Sequence, residues 1–344
     1  MRTRDDVRDI PAANDFAAYT PEPFVPAWWL PGAHAQTVGG RQLRRYDTGP
    51  LRTERVELPD GDFLDLDEGP EQLPLDSPVV LVLHGLEGCS GSNYVSTLAR
   101  ELAGRGIRTL RMNFRACSGE MNRLARFYHA GDTGDVDFVA RMLRDRHPDV
   151  PMGAVGFSLG GNVLLKYLGE QGDAGRSLFR SAVAISIPFD LVAGTQRLEE
   201  GPMSRLYTLY FIRKLRRKVL RKRELLMDHC DVESALAART IREYDEAATA
   251  IIHGFDDAWH YYDSSSARHT MHEIRTPTLV LHALDDPFLP SESVPVQAVA
   301  KNPWLIDGIT PAGGHVGFIA GPPWAPVCWA EREAARFLEV TLLG

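Results

Sequence analysis

A serine set between glycines, in Gly156-Phe157-Ser158-Leu159-Gly160, constrains this chain more than any other feature. The G-x-S-x-G pattern suits a sharp turn from a strand into a helix. The serine backbone is strained there, and a side chain on either flanking glycine would strike the neighbouring strand or helix. The flanks have the required character: Met152 to Phe157 reads as a short apolar strand, and Gly161 to Leu168 (GNVLLKYL) as an apolar-periodic helix. A serine hydroxyl is a poor nucleophile until a turn exposes it, a histidine takes its proton and a carboxylate orients that histidine. Candidates for both partners follow, Asp286 in LVLHALDDPFLP and His315 in TPAGGHVGF.

The remaining pattern sets the architecture. Val79 to Leu83 (VVLVL) is a continuous apolar run of the kind buried on both faces of a parallel sheet, and it ends at His84-Gly85. Helical sequence from about Tyr94 to Arg105, a strand at Ile107 to Phe114, a helix at about Asp135 to Arg146 and a strand at Ser181 to Ile187 continue the alternation. Before it, Pro59-Asp60-Gly61 between two short alternating runs predicts a hairpin. From Pro188 to about His272 the alternation stops and the sequence turns helical, charged and aromatic, until TLVL at Thr278 to Leu281 restores it. Ala325 to Val340 reads as a closing amphipathic helix. These features predict an α/β-hydrolase fold, a mostly parallel central sheet flanked by helices with an inserted helical cap. The expected boundaries are an N-terminal strap over 1–50, core over 51–188, cap over 189–272 and core again over 273–344. Paired tryptophans in FVPAWWLPGAHAQT suggest that the strap lies over the core, because exposing them is costly.

With a net charge of -8, the chain lacks the basic surface a general nucleic-acid binder needs. Cys89, Cys117, Cys230 and Cys328 are scattered, which suggests neither a disulfide scaffold nor a zinc knuckle. His269, His272 and Glu273 match no zinc-protease spacing, so no metal and no cofactor is expected. The N-terminus has acidic residues where a secretory signal needs an apolar run, and a cytoplasmic location is the default expectation.

Asp285 competes with Asp286, but the hydrolase pattern sets its acid immediately before a Pro-initiated turn, which favours Asp286 and leaves Asp285 a turn cap. An oxyanion hole needs one backbone N–H from the residue after the nucleophile, here Leu159, and one from the loop after an earlier strand. His84-Gly85-Leu86-Glu87-Gly88 follows VVLVL and nominates Leu86.

FVPAWWLPGAHAQT, HGLEGCSGSNY, RMNFRACSGEMNRLARFYHAGDTGDV, GFSLGGN, EYDEAATAIIHGF, ALDDPFLP and GGHVGF together resemble the YheT-like branch of the α/β hydrolases, family 4, over most of the chain. The resemblance places Ser158, Asp286 and His315 on the family's triad and implies hydrolysis or transfer of short- to medium-chain acyl groups from oxygen esters. Two departures are visible: Ala116 where the family often has Gly, and Gly32-Ala33 before the H-x-Q-T motif in place of Asn-Pro.

The expected activity is therefore that of a serine carboxylesterase acting on small acyl esters, monoacylglycerols among them, through an acyl-enzyme. An alcohol O-acyltransferase would use the same intermediate, and a non-catalytic binding protein on the same fold is the rival of another class. Tyr207, Tyr210, Phe211, Trp259, Tyr261 and Tyr262 suit either an acyl pocket or packing. Arg115, Asn122, Arg123, His129 and Asp132 read as hydrogen bonds ordering a long loop, and His34, Gln36 and Thr37 as ties for the strap. The basic run IRKLRRKVLRKRELL at Ile212 to Leu226 reads either as a solvated helix surface or as a transient contact with anionic membrane.

Overall fold

The computed structural model describes residues 19–44, 49–69 and 73–344, so residues 1–18 and 45–48 of the expected strap lie outside the described residues. The chain passes through helix α1 (Gly32–Leu43), strands β1 (Arg52–Glu57), β2 (Phe63–Glu68) and β3 (Val79–Leu83), α2 (Asn93–Ala103), β4 (Arg108–Asn113), α3 (Gly134–Arg146) and β5 (Met152–Phe157). It continues with α4 (Leu159–Gln171), β6 (Ser181–Ile185), α5 (Leu191–Glu199), α6 (Gly201–Arg221) and several short helices, then α7 (Ala258–Ser265), β7 (Thr278–Ala283), β8 (Leu305–Thr310) and α8 (Trp329–Leu343).

Eight strands form one sheet in the order β1-β2-β4-β3-β5-β6-β7-β8. The β1–β2 hairpin joins antiparallel to β4, and every later pairing is parallel. The expected hairpin forms as read, with Gly61 at φ 85 and its N–H donated to Leu58 O at 3.0 Å. Side-chain alternation divides the apolar runs between two faces. Val79, Leu81 and Leu83 pack with Val136, Val139 and Val163 of α3 and α4. Val80 and Val82 pack with Val95 and Leu98 of α2 and Phe337 and Leu338 of α8. Covering both faces explains why β3 is apolar throughout.

The helices between β6 and β7 form the inserted cap, whose own core joins Ile212, Leu215 and Val219 of α6 to Val232, Ala235 and Tyr244. Phe127 and Ala116, from the long loop after β4, complete it. That loop is ordered by charge. Arg115 binds Asp135 through two bonds of 2.8 and 2.7 Å and reaches Asp60 and Asp62, Arg126 binds Asp132 at 2.8 Å, and Asn122 Nδ2 donates to Asp62 Oδ2 at 2.5 Å. Ala116 sits there at φ 61, the left-handed region that a glycine adopts without strain.

Two readings need correction, and one strand carries no clear sequence signal. Trp28 is 76% exposed. The strap is held instead by Phe24 against Phe318 and Trp329, and by Trp29 Nε1 donating to Gly321 O at 2.9 Å. The final helix begins at Trp329, because Val327 and Cys328 pair with Ile319 and Ala320 in a short ribbon. β8 escaped notice because Asp307 and Gly308 interrupt its apolar residues at the open edge of the sheet.

A tight steric constraint lies between β3 and the elbow. A Cβ on Gly160 would stand 2.5 Å from His84 O and 2.6 Å from Leu83 O. Backbone cannot yield there as a side chain would, so Gly160→Ala is expected to destabilise the protein by about 3 kcal/mol. Denaturant unfolding of the variant beside wild type checks this, and an unchanged midpoint would contradict the packing described.

Candidate active site

Ser158 leaves β5 at φ 51 and ψ -120 and caps the start of α4. The strain is held by its N–H, donated to Ile185 O at 2.8 Å, and by the absence of side chains nearby: a Cβ on Gly156 would stand 2.4 Å from Gly160 O. α4 is anchored by fully buried Asn162, which donates to Ala130 O and Ser265 O and accepts from Ala267 N–H, each within 2.9 Å.

The structure brings Ser158, His315 and Asp286 together. His315 Nε2 lies 2.9 Å from Ser158 Oγ, and its Nδ1 lies 2.8 Å from Asp286 Oδ2. With the ring proton on Nδ1 and donated to Asp286, Nε2 is free to accept from the serine hydroxyl. Burial would raise the Asp286 carboxyl, but the His315 imidazole, by charge and hydrogen bond, holds it below the usual carboxylate range. Its second oxygen accepts from Phe288 N–H at 2.8 Å, and the Phe288 ring stacks on His315 with centroids 4.1 Å apart. Asp285 takes a different part, accepting from Gly314 N–H at 2.8 Å and so bracing the histidine loop.

The strap completes that brace. Thr37 Oγ1 accepts from His315 N–H at 2.9 Å and donates to Ala33 O at 2.8 Å. Gln36 bonds Ile319 through both its amide groups. A Cβ on Gly314 would meet Ala33 O at 2.4 Å, which is why the loop can approach α1 so closely. The H-x-Q-T motif therefore positions the histidine, which its sequence reading as a simple tie understated. His34 is a separate case, 3.0 Å from the Tyr207 hydroxyl.

The loop after β3 lies against the serine, since a Cβ on Gly85 would stand 3.1 Å from Ser158 Cβ. Gly85 N–H donates to Tyr94 OH, Glu87 N–H to Tyr128 OH, and Gly88 N–H to Gly85 O, at 2.9, 2.7 and 3.0 Å. Among the described residues, no acceptor partners the N–H of Leu86 or of Leu159. His84 is a structural tie: its Nε2 accepts from Phe114 N–H, its Nδ1 donates to Gly85 O, and burial lowers its pKa to about 3.

The cleft over Ser158 is roofed by the cap. Its apolar walls include Leu191, Leu198, Phe211, Leu215 and Ile241. Of the six aromatic residues singled out from sequence, Phe211, Tyr261 and Tyr262 line it, whereas Tyr207 packs on Phe288 and Trp259 is 40% exposed. Sequence reading missed the polar end of the cleft. His129 and His253 meet there with ring centroids 4.5 Å apart, so His129 is more than a loop tie. Burial, helped by nearby positive charge, lowers them to about 3 and about 2, and both are neutral. Asp245, on a π-helical turn (Asp245–Thr249), accepts from Thr249 Oγ1 at 2.6 Å and Tyr262 OH at 2.7 Å. Among the described residues, no group of three or more His, Cys, Asp or Glu is placed to hold a metal ion.

Burial pushes the Asp245 carboxyl up to about 6, against its two hydroxyl donors. The folded state thus keeps a proton that the unfolded chain has released, and stability falls as pH rises from about 4 to about 6 and stays lower above that. Asp245→Asn removes this loss: relative to wild type, the variant is expected to be more stable at neutral pH than at pH 4 by roughly 2–3 kcal/mol. Thermal melts of both proteins at the two pH values measure it, and a pH-independent difference would refute the buried, uncompensated carboxyl.

A serine on a strained strand-to-helix turn, in line with a histidine and a carboxylate at the carboxyl ends of a parallel sheet, defines the class of α/β hydrolases. Residues 78–322 match the family described as the alpha/beta hydrolase fold. The chain is 37% identical over 334 residues to the putative esterase YheT of Escherichia coli, covering 96% of each. It is 29% identical to a phospholipase, ABHD3, of Bos taurus (96% of this chain, 81% of that protein). It is 30% identical to a monoacylglycerol lipase of Saccharomyces cerevisiae (76% and 59%). The chain belongs to the YheT-like branch of the α/β-hydrolase family, a family of ester hydrolases.

Proposed function

We propose that this protein is a serine carboxylesterase acting on short- to medium-chain acyl esters, with Ser158 as nucleophile, His315 as general base and acid, and Asp286 orienting the imidazole. The continuous chain of 2.9 and 2.8 Å contacts from Ser158 through His315 to Asp286 carries this reading. As Ser158 Oγ bonds to the ester carbonyl carbon, its proton passes to His315 Nε2, and the imidazolium is stabilised by Asp286. The oxyanion meets the N–H groups of Leu86 and Leu159. His315 returns the proton to the departing alkoxide, and water then repeats the sequence on the acyl-enzyme. The apolar walls of the cleft suit the acyl chain, and its neutral histidines and hydroxyls suit a small uncharged alcohol such as glycerol. Relatives named as an esterase, a monoacylglycerol lipase and a phospholipase support ester chemistry without selecting among its substrates.

Against aryl esters from acetate to long-chain acyl groups, wild type is expected to show a chain-length optimum. Ser158→Ala should lose at least ~10⁴ in kcat, and Asp286→Asn nearly as much, by analogy with other serine triads. A fully active Ser158→Ala protein would end the proposal. Ester formation from an acyl donor and an added alcohol, outpacing hydrolysis, would move the assignment to acyl transfer.

The outer side of α6 supports a further element of the reading, a transient contact with an anionic lipid surface that supplies substrate. Leu206, Leu209 and Leu220 are 58%, 46% and 54% exposed, and Arg213 and Arg217 are exposed with them. Exposed leucines among arginines suit the boundary between headgroup and acyl chain. Sedimentation with anionic vesicles at low salt should carry down wild type and less of a Leu206→Glu, Leu209→Glu double variant. No sedimentation of wild type would dispose of the contact.

A further inference from the structure

Not all of the basic run faces solvent. Lys214 and Lys218 stand one turn apart on α6 and both point at Glu87, in the loop after β3. Lys214 Nζ donates to Glu87 O at 2.7 Å, and Lys218 Nζ to Glu87 Oε1 at 2.6 Å. Tyr128 adds a third hold, accepting the Glu87 N–H at 2.7 Å while its own hydroxyl lies 3.0 Å from Oε1. Lys218 also lies 3.1 Å from Cys117 Sγ and 5.0 Å from the centre of the Tyr128 ring. Burial would lower the Lys218 pKa, but Cys117 and Glu87 outweigh it and leave it above the ordinary value. The ammonium is therefore fully charged where it meets the carboxylate.

The grip falls on a strained residue. Gly85 to Gly88 form a turn closed by the Gly88 N–H to Gly85 O bond, with Leu86 and Glu87 at its centre. Glu87 is at φ 55, at a turn position where positive φ usually calls for glycine or asparagine. A residue with a Cβ keeps that conformation when its surroundings hold it. Relaxing Glu87 to negative φ would turn over the peptide joining it to Leu86, which carries the Leu86 C=O and the Glu87 N–H, and the changed Leu86 ψ would reseat the adjoining Gly85–Leu86 peptide that carries the Leu86 N–H. Resting on the reading of Ser158 as nucleophile and Leu86 as oxyanion donor, we propose that Lys214 and Lys218 of the cap are positioning residues for the oxyanion hole. By clamping Glu87 in its left-handed conformation they keep the Leu86 N–H aimed at the substrate carbonyl oxygen. The cap thus completes the catalytic centre as well as roofing it, and a lifted α6 would leave the hole unformed.

The test is hydrolysis of a short aryl ester by wild type, Lys214→Met, Lys218→Met and Lys218→Arg. Arg205→Met, which removes a charge from an exposed position of the same helix, serves as control. Each Met variant is expected to lose about tenfold in kcat, part of the ~10²–10³ that removal of a whole oxyanion donor costs, with KM within about twofold. Affinity for an aryl boronic acid, whose tetrahedral adduct with the serine places an anionic oxygen in the hole, should fall in parallel. Lys218→Arg should recover much of the loss and Arg205→Met should match wild type. Unchanged kcat in both Met variants, or a rise in KM alone, overturns the clamp. Lys218→Met strands a buried carboxylate; should it fail to fold, Lys214→Met, whose partner is a neutral carbonyl, decides the matter. Wild type lacking Ser158-dependent turnover would overturn the nucleophile reading and the clamp together, whereas active wild type with unaffected lysine variants overturns the clamp alone.

Discussion

The close approach of β5, α4 and the end of β3 at Ser158 is the constraint from which the site follows. Gly160 lies so near the carbonyl oxygens of Leu83 and His84 that no side chain fits between them. The turn therefore sits beside the loop after β3, and the serine is brought to that loop's backbone by packing alone. Because neighbouring parallel strands end on the same side of the sheet, β7 and β8 deliver Asp286 and His315 to the same crevice. The site is a consequence of strand order as much as of the residues in it.

Strain gathers in the same place. Among the described residues, Glu87, Ala116, Ser158, Ser186, Val316 and Phe318 are the non-glycine residues at positive φ, and all six lie in segments following β3, β4, β5, β6 or β8. Several are held by bonds within or between these loops. Ser186 Oγ accepts from Val316 N–H at 2.9 Å, Phe318 N–H returns to Gly313 O at 2.9 Å, and Glu87 is tied to Tyr128 and two lysines. Backbone conformations that cost free energy persist only where surrounding structure over-determines them. Here that surrounding structure includes the strap at Thr37 and the cap at α6, so segments distant in sequence stiffen one centre.

The cap shows how one amphipathic helix divides its charges. Lys214 and Lys218 face the core domain, with Lys222 at the helix end donating to Asn122 Oδ1 at 2.7 Å, while Arg213 and Arg217 face outward beside exposed leucines. Residues three to four apart share a side, so a run dense in basic residues presents different partners on each. The inner row joins the cap to the loop after β3 and to the loop after β4, while the outer row is exposed.

Much was legible in the chain itself, and for identifiable reasons. Continuous apolar runs such as VVLVL announced strands buried on both faces, the glycines around Ser158 announced the elbow, Asp286 stood in a turn just past strand-like sequence, and His315 stood among small residues. These are local signals, set by side-chain periodicity and backbone sterics over a few residues. β8 was hidden because an edge strand tolerates Asp307 and Gly308. The exposure of Trp28, the part of Thr37 in bracing His315, the neutral pair His129 and His253, the buried Asp245 and the inward turn of Lys214 and Lys218 were hidden for another reason. Each depends on what segments far apart in the sequence place beside that residue, and hydrogen-bond partners and local dielectric exist only once those segments have packed. The sequence by itself determined the sheet, the elbow and the types of reactive group; tertiary structure alone decided which residues hold that chemistry in place, because contact across long sequence separation is written in no local pattern.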